Sequence, residues 1–214
     1  NFENLNPGNS LWEKYYDVFA DVEGQAERYL DFERWWSGFY FMNESEIRWI
    51  VENLFVASTH SYVLIFTNRG RLYWLKVHEI PDVGPQAKGK AVVNLVRLQE
   101  GEKIAAFVAC RDFEAKGYIV LATRKGVIKK TELASFSNPR PGGIIALGVE
   151  EDDALIDAMQ TTGSDQLLLS TRDGMAIRFE ETDVRPMGRT AYGVKGVDLD
   201  EGDKVVSLEV VREA

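Results

Sequence analysis

The chain has 214 residues, of which 45% are hydrophobic and 28% are charged, and its formal net charge is −9. This composition is typical of a globular protein, and no run of about 18 apolar residues is present to predict a membrane helix. A single cysteine, Cys110, excludes an intrachain disulfide framework, so we expect a cytoplasmic protein.

Residues 1–54 predict a short α-helical segment. Ser10-Leu11-Trp12-Glu13 has the form of a capping box, and apolar residues then recur at helical spacing. Residues 47–54 carry a second apolar stripe at i, i+3, i+4 and i+7. A segment of roughly 55 residues is too small for a comfortable core of its own. We therefore expect it to dock on another part of the protein.

From about residue 55 the pattern changes to short apolar strands, and one unit of about 50 residues occurs three times. Each unit begins with a hairpin whose turn ends in glycine, the residue that tolerates a positive φ. A second strand with basic residues, a strand led by glycine, an acidic turn and a last apolar strand follow. The hairpin turns are 67–70, 123–126 and 171–174, the glycine-led strands are 89–96, 142–148 and 193–197, and the acidic turns are 100–103, 151–153 and 200–204.

Four strands in each of three units predict a mainly β fold, a partial β-pinwheel or propeller. The expected architecture is an open arc of three four-stranded blades behind the helical segment. We place the helical segment at 1–54, the pinwheel at 55–214 and its blades at about 55–110, 111–160 and 161–214. Because an open arc leaves an unpaired edge at each end, we expect either that the helical segment covers one end or that two chains associate, as a homodimer that completes six blades.

The net charge conceals a basic middle of the chain. Residues 1–55 have a net charge of −7, residues 56–146 of +7 and residues 147–214 of −9. Such asymmetry is found where a protein binds phosphates, but also where basic residues only keep a surface soluble. Charge alone favours the second interpretation.

Residues from about 53 to the end resemble the C-terminal domain of DNA gyrase A and of its topoisomerase IV homologue. The stretches that carry this resemblance are Ala-Ser-Thr-His at 57–60, Gly-Glu-Lys-Ile-Ala-Ala at 101–106, Lys-Lys-Thr at 129–131, Val-Arg-Pro-Met-Gly-Arg at 184–189, Gly-Val-Lys-Gly at 193–196 and Glu-Gly-Asp-Lys-Val-Val-Ser-Leu at 201–208. The resemblance implies a part of a six-bladed pinwheel that wraps DNA around a basic outer rim, with the three units as its second, third and fourth blades. The family's basic box, Gln-Arg-Arg-Gly-Gly-Lys-Gly, is absent, and 86–90 is a weak echo of it.

The resemblance implies non-catalytic binding of double-stranded DNA within a bacterial type II topoisomerase, with DNA supercoiling as the outcome. The partners it implies are DNA, the rest of gyrase A and gyrase B, in a cytoplasmic, nucleoid-associated setting. Phosphate contacts do not depend on sequence, which suits wrapping. The bases predicted to form the rim are Arg69, Arg71, Lys76, Lys88, Lys90, Arg124, Lys125, Lys129, Lys130, Arg140, Arg172, Arg178, Arg185, Arg189 and Lys195.

Residues 1–55 resemble a fragment of the polyhydroxyalkanoate-synthase-like α/β-hydrolase family, most of all over 29–40 and 47–55. The chain is therefore expected to be a fusion or composite. The segment has no Gly-x-Ser-x-Gly elbow and no cysteine, and the two histidines, His60 and His78, lie apart. We predict no catalytic site, cofactor or metal. Two alternatives to DNA binding stay open: a protein-interaction scaffold with an incidental basic rim, and a hydrolase remnant without an active site.

Overall fold

A computed structural model describes residues 57–81 and 91–212, the side chain of Val93 excepted. The predicted helical segment 1–54 lies outside the described residues, as do Lys88 and Lys90 of the predicted rim. All the described residues belong to one compact unit, Phe55–Ala214. Within them, no helix has the length and apolar character needed to cross a membrane.

The described residues form strands joined by tight turns. The strands are β1 (Tyr62–Thr67), β2 (Arg71–Lys76), β3 (Ile104–Cys110), β4 (Tyr118–Thr123), β5 (Val127–Glu132), β6 (Ile144–Ile145), β7 (Leu155–Thr161), β8 (Gln166–Thr171), β9 (Ala176–Glu180), β10 (Val194–Lys195) and β11 (Val205–Val211). Helical structure in the same residues consists of 3-10 turns at Val77–Glu79, Val92–Asn94, Leu133–Phe136 and Glu181–Asp183. A mainly β fold is thus confirmed.

Three antiparallel sheets arise from the three units. Sheet A has the order β3-β1-β2-β6, sheet B the order β10-β5-β4-β7, and sheet C the order β11-β8-β9. Each sheet contains the predicted hairpin, β1–β2, β4–β5 or β8–β9, together with the last strand of the same unit. The three repeated hairpins were therefore predicted correctly from the sequence.

The fourth strand of a sheet comes from the next unit along the chain. Ile144 of β6 pairs with Leu72 of sheet A, and Val194 of β10 pairs with Ile128 of sheet B. The prediction of three self-contained four-stranded blades is wrong on this point, and sheet C has three strands among the described residues. The repeat pattern could not reveal this, because β2 and β5 offer equivalent edges to a two-residue strand.

Glycine makes the crossing possible. Gly193 has a φ of 95°, and a Cβ there would lie 2.7 Å from the carbonyl oxygen of Ile128 on β5. A side chain at this position would push the crossing strand away from the sheet that it joins. We call residues 137–148 and 184–197 the crossing segments, because they contain β6 and β10 and carry the chain to the preceding sheet.

The first glycine-led element, predicted as a strand over 89–96, is not a strand in its described part. Val92–Asn94 forms a 3-10 turn, and Val92, Leu95 and Val96 pack on the outer face of sheet A. The described residues contain no earlier sheet with which this element could pair. Its apolar side chains are therefore buried against the nearest open sheet face instead.

The apolar core lies between the sheets and covers both faces of sheets A and B. One cluster, which includes Leu64 and Leu121, fills the space between sheets A and B, and a second, which includes Val120 and Leu169, fills the space between B and C. A third cluster covers the outer face of sheet A. Strands with two covered faces are apolar almost throughout, which explains the continuous apolar runs in β1 and β4.

The strands β3, β7 and β11, which we call the hub strands, lie at one edge of their sheets, where β7 contacts both β3 and β11. Leu155, at the start of β7, donates its N–H to the carbonyl of Asn68 at 2.9 Å, and Val205, at the start of β11, donates to Arg124 at 2.9 Å. The strands β6 and β10 are at the opposite edges of their sheets. The sheets therefore share an inner edge, and the crossing segments lie along the outer edge.

One hub residue gives a prediction on stability. Asp157 of β7 is half-buried, and burial raises the pKa of its carboxyl from 3.8 to about 6. Because the folded pKa exceeds the unfolded one, ionisation costs stability as the pH rises from about 4 to 6. Asp157→Asn removes this cost and should stabilise the fold at pH 7.5 by about 1–3 kcal/mol, but not at pH 3.5.

Urea denaturation at the two pH values checks this prediction. The matched control is Asp183→Asn, the same substitution at an exposed residue of a 3-10 turn, against which the effect at the half-buried Asp157 is compared. A loss of stability in Asp157→Asn at pH 7.5 would contradict the explanation.

Candidate nucleic-acid interface

The hairpin turns are built in the same way three times. The hydroxyl oxygen of Thr67, the first turn residue, accepts a hydrogen bond from the N–H of Arg71 at 3.3 Å, and Thr123 and Thr171 repeat this bond. Each hairpin turn is then joined to the acidic turn of its own unit. The joining backbone bonds run from Asn68 to Lys103, from Arg124 to Ala154 and from Arg172 to Lys204. The acidic turns are therefore fixed beside the predicted turn bases.

Three of the predicted turn bases have partners in or beside these acidic turns. Arg124 donates to the carbonyl of Asp152 at 2.8 Å, and Lys125 forms an ion pair with the Asp152 carboxylate. The hydrogen bond from Lys125 holds the pKa of Asp152 below its ordinary value. Arg172 pairs with Asp173 at 2.8 Å and donates to the carbonyl of Gly202 at 2.9 Å. These bases are largely compensated where they stand.

The hairpin turns and acidic turns form a surface, which we call the turn face, with a net negative charge. The hairpin turns and acidic turns together contain nine acids and six bases. A polyanion gains little from such a surface, because the local carboxylates repel its phosphates. The turn bases among the predicted rim residues are therefore weaker candidates for phosphate contacts than the other exposed bases.

The outer edge has the opposite composition. The two crossing segments contain four bases, Arg140, Arg185, Arg189 and Lys195, and no Asp or Glu. Arg140 and Arg185 are exposed, and no hydrogen bond or ion pair engages either side chain among the described residues. Arg189 is half-buried, and Lys195 is exposed and pairs with Asp198. The four predicted bases therefore lie in the segments that contain the outer strands of sheets A and B.

The remaining predicted bases are dispersed. Arg69, Lys76 and Arg178 are exposed and have no ionic partner within the described ranges. Arg71 is half-buried, lies 3.6 Å from Glu102 and donates to the carbonyl of Gly142. Exposed bases that the repeat pattern missed, because they lie outside the turn motif or the basic strand, are Arg97, Lys103, Arg111, Lys116, Lys204 and Arg212. Arg97 and Arg140 line a common cavity of about 390 Å³.

Two predicted DNA contacts, Lys129 and Lys130, are buried, at 0% and 3% exposure. The prediction is wrong for both, because an ammonium group enclosed by the fold cannot reach a phosphate. Adjacent strand residues point to opposite faces, and both faces of sheet B are covered. One lysine is therefore buried on each face.

Lys130 occupies a buried polar site between sheets B and C. Its Nζ donates to the carbonyl of Glu181 at 2.8 Å, lies 3.7 Å from the Glu181 carboxylate and stands 4.9 Å from the centre of the Tyr118 ring. The carboxylate also accepts hydrogen bonds from the hydroxyl of Thr161 at 2.6 Å and from the N–H of Gly163 at 2.9 Å. This pair is part of the structure that holds two sheets together.

Lys129 is buried on the other face, among backbone carbonyls. Its Nζ donates to Ala146 at 2.6 Å, to Ala191 at 3.3 Å and to Arg189. Burial lowers the pKa of Lys129 to about 8, and the nearby charge of Arg189 contributes to that lowering. The three carbonyl oxygens favour the charged form and so oppose that effect.

Sheets A and B each receive their outer strand from the next unit along the chain, an arrangement that defines a β-pinwheel. Its outer edge carries basic residues and its turn face carries an excess of acids. A family model described as "DNA gyrase C-terminal domain, beta-propeller" matches residues 117–162 and 165–212. A model described as "Protein of unknown function (DUF3141)" matches residues 1–122. The chain belongs to the DUF3141 family through its first 122 residues, and its residues 117–212 are homologous to the C-terminal domain of DNA gyrase A.

Curated relatives agree with this assignment. The chain is 46% identical to the A subunit of DNA gyrase from Streptomyces coelicolor over 170 residues, which are 76% of this chain and 20% of the relative. It is 47% identical to the same protein from Clostridium acetobutylicum over 146 residues, which are 68% of this chain and 18% of the relative. The chain thus spans about a fifth of these relatives.

Solved structures give the same fold. The C-terminal domain of DNA topoisomerase IV matches with a TM-score of 0.66 and 35% identity, over 72% of this chain and 48% of that one. The DNA gyrase A C-terminal domain matches with a TM-score of 0.62 and 27% identity, over 73% and 50%. Since the description of DUF3141 states no activity, the resemblance of residues 1–55 to a hydrolase family stays a prediction.

Proposed function

We propose that this chain binds double-stranded DNA along the outer edge of its sheets, through the bases of the crossing segments. The observation that carries the proposal is the presence of four bases and no acid on these two segments, beside a turn face in which acids predominate. Contacts from such bases to phosphates release counterions and read no sequence, as bending and wrapping of any duplex require. The chain itself contributes binding and no catalysis.

The test compares two triple variants that remove the same charge. Arg140→Ala with Arg185→Ala and Arg189→Ala removes three outer-edge bases, whereas Arg124→Ala with Lys125→Ala and Arg172→Ala removes three turn bases. The outer-edge variant should bind a duplex at least about tenfold more weakly near 0.15 M salt. The negative slope of log K against log salt should become shallower by about 3. The turn variant should change affinity by less than about threefold.

Fluorescence anisotropy titrations at several salt concentrations measure both quantities, on two duplexes of unrelated sequence. Equal losses in the two variants would refute the assignment to the outer edge. Absence of salt-dependent DNA binding by the parent chain would refute DNA binding as such, and would favour the protein-interaction scaffold. That alternative is supported by exposed apolar side chains at Met175, Ile177, Tyr192 and Val206.

The finer parts of the proposal concern partners and assembly. We infer a place in a bacterial type II topoisomerase, in the cytoplasm with the nucleoid, beside the remaining gyrase A and gyrase B. Because β9 has no outer neighbour in sheet C among the described residues, a second copy is the partner we propose for that edge. Light scattering at micromolar concentration tests this, and a monomer would rule the homodimer out. The alternative of a hydrolase remnant concerns residues 1–55, which lie outside the described residues, and it stays a prediction.

A further inference from the structure

Two bases on the second hairpin strands reach the crossing segments instead of solvent. Arg71 of β2 donates to the carbonyl of Gly142 in the first crossing segment. Lys129 of β5 donates to the carbonyls of Arg189 and Ala191 in the second. In both cases the base lies on the strand with which the crossing segment pairs. In each sheet that receives a crossing strand, a base therefore donates to a backbone carbonyl of the crossing segment, although the two bases stand at different positions of the repeat.

Lys129 is the more deeply placed of the two. It is fully buried, and the contacts that its ammonium makes within the described residues are to carbonyls and not to a carboxylate. A buried ammonium without a counter-ion is costly unless hydrogen bonds satisfy it. Such a group is expected where its contacts fix a particular backbone arrangement.

The stretch that Lys129 holds has few other links to sheet B. The N–H of Met187 donates to the carbonyl of Lys130 at 2.8 Å, and the β10–β5 pairing begins at Val194. Between these two points, the hydrogen bonds to sheet B from the described residues are those of Lys129. Arg189 lies in the middle of this stretch, and Arg185 lies two residues before Met187.

We propose that Lys129 is a positioning residue for the DNA interface, which fixes the backbone at Arg189 and Ala191 and so presents Arg189 to duplex phosphates. The inference rests on the proposed function and deepens it. Arg71 has the same role for the first crossing segment, where it holds Gly142 close to Arg140. Arg178 on β9 has no crossing segment to hold among the described residues and stays exposed.

A double-mutant cycle on the full chain tests the inference. The four forms are the parent, Lys129→Met, the pair Arg185→Ala with Arg189→Ala, and all three changes together, each titrated with a fluorescein-labelled duplex at several salt concentrations. In the parent background, loss of the two arginines should reduce the magnitude of the negative slope of log K against log salt by about 2. In the Lys129→Met background the same loss should reduce the magnitude of the slope by about 1, because Arg189 is no longer held in place while Arg185 still contributes.

A drop of about 2 in both backgrounds would overturn the positioning role. A parent slope that does not change when the arginines are removed would overturn the proposed function itself, so the two failures are distinguishable. Gly174→Ala is the control for general destabilisation, since it lies at a remote turn and should leave the full drop in place. If circular dichroism shows that Lys129→Met does not fold, the cycle of Arg71→Met with Arg140→Ala, expected to give drops of about 1 and about 0, decides the same question.

Discussion

Replacing Lys130 by methionine should destabilise the fold by about 3–5 kcal/mol, although the change removes a charge and adds an apolar side chain. The reason lies in the residue that remains. Glu181 is fully buried, and without Lys130 its carboxylate would keep its hydrogen bonds but lose its cation. An isolated ionised carboxylate in the interior is among the most costly groups in a protein.

The compensating variant separates this cause from a loss of packing. Lys130→Met with Glu181→Gln removes both charges, while the amide oxygen can still accept from the N–H groups of Gly163 and Asp165 and the amide nitrogen can donate to the hydroxyl oxygen of Thr161. We expect the double variant to recover at least about half of the lost free energy of unfolding, measured in urea with the full chain. If the double variant is as unstable as Lys130→Met, packing and not the stranded carboxylate explains the effect.

Lys130 also shows what a local sequence pattern does not determine. The hairpins, the glycine turns and the threefold unit follow from local patterns, and the structure contains them where they were predicted. The exposure of a strand lysine depends instead on what covers the sheet, and that depends on the order in which sheets stack. From the sequence, Lys129 and Lys130 were indistinguishable from bases on an exposed strand.

The sequence nevertheless contains a signal for the buried pair. Glu181 occupies the position in its unit that Leu133 and Val77 occupy in theirs, counted from the glycine of the hairpin turn. Leu133 is fully buried, so a carboxylate in the same place requires a buried cation as its partner. An apolar position that becomes acidic in one repeat of three therefore indicates an internal ion pair.

For the candidate interface, too, the sequence predicted one part and not another. Charge counts identified a basic middle of the chain, and Arg140, Arg185, Arg189 and Lys195 were among the predicted bases. Which bases are compensated by acids was not predictable, because the acidic turns lie about 30 residues from the hairpin turns that they contact. Such long-range contacts, and the pairing of β6 and β10 with the preceding sheets, depend on tertiary structure and not on the local sequence pattern.

The addition of a strand from the next unit leads to the other large predicted effect on stability, a substitution of the glycine that ends a hairpin turn. Gly70 has a φ of 70°, and a Cβ there would lie 2.3 Å from the carbonyl oxygen of Leu147 in the first crossing segment. The carbonyl of Gly70 also accepts hydrogen bonds from the N–H groups of Ala146 and Leu147, at 2.8 and 3.0 Å. A methyl group at residue 70 would therefore push away the backbone of Ala146 and Leu147, to which the carbonyl of residue 70 is hydrogen-bonded.

Gly174 is the matched position in sheet C. Its φ of 91° is equally unfavourable for a side chain, but a Cβ there would meet nothing within 4 Å. Gly174→Ala should cost only the strain of the left-handed backbone, about 1–2 kcal/mol. Gly70→Ala carries the same strain and the clash with Leu147, so we expect a total of about 3–5 kcal/mol.

Urea midpoints of the two variants measure the difference, and Gly126→Ala extends the series. A Cβ at Gly126 would lie 2.8 Å from a methyl carbon of Val197 and 3.1 Å from its carbonyl oxygen, a milder conflict than the 2.3 Å approach to a carbonyl oxygen at Gly70. The expected order of destabilisation is therefore Gly70→Ala, then Gly126→Ala, then Gly174→Ala. Equal costs at all three glycines would mean that backbone strain alone matters, and that the crossing segments do not press on the hairpin turns as the structure has them.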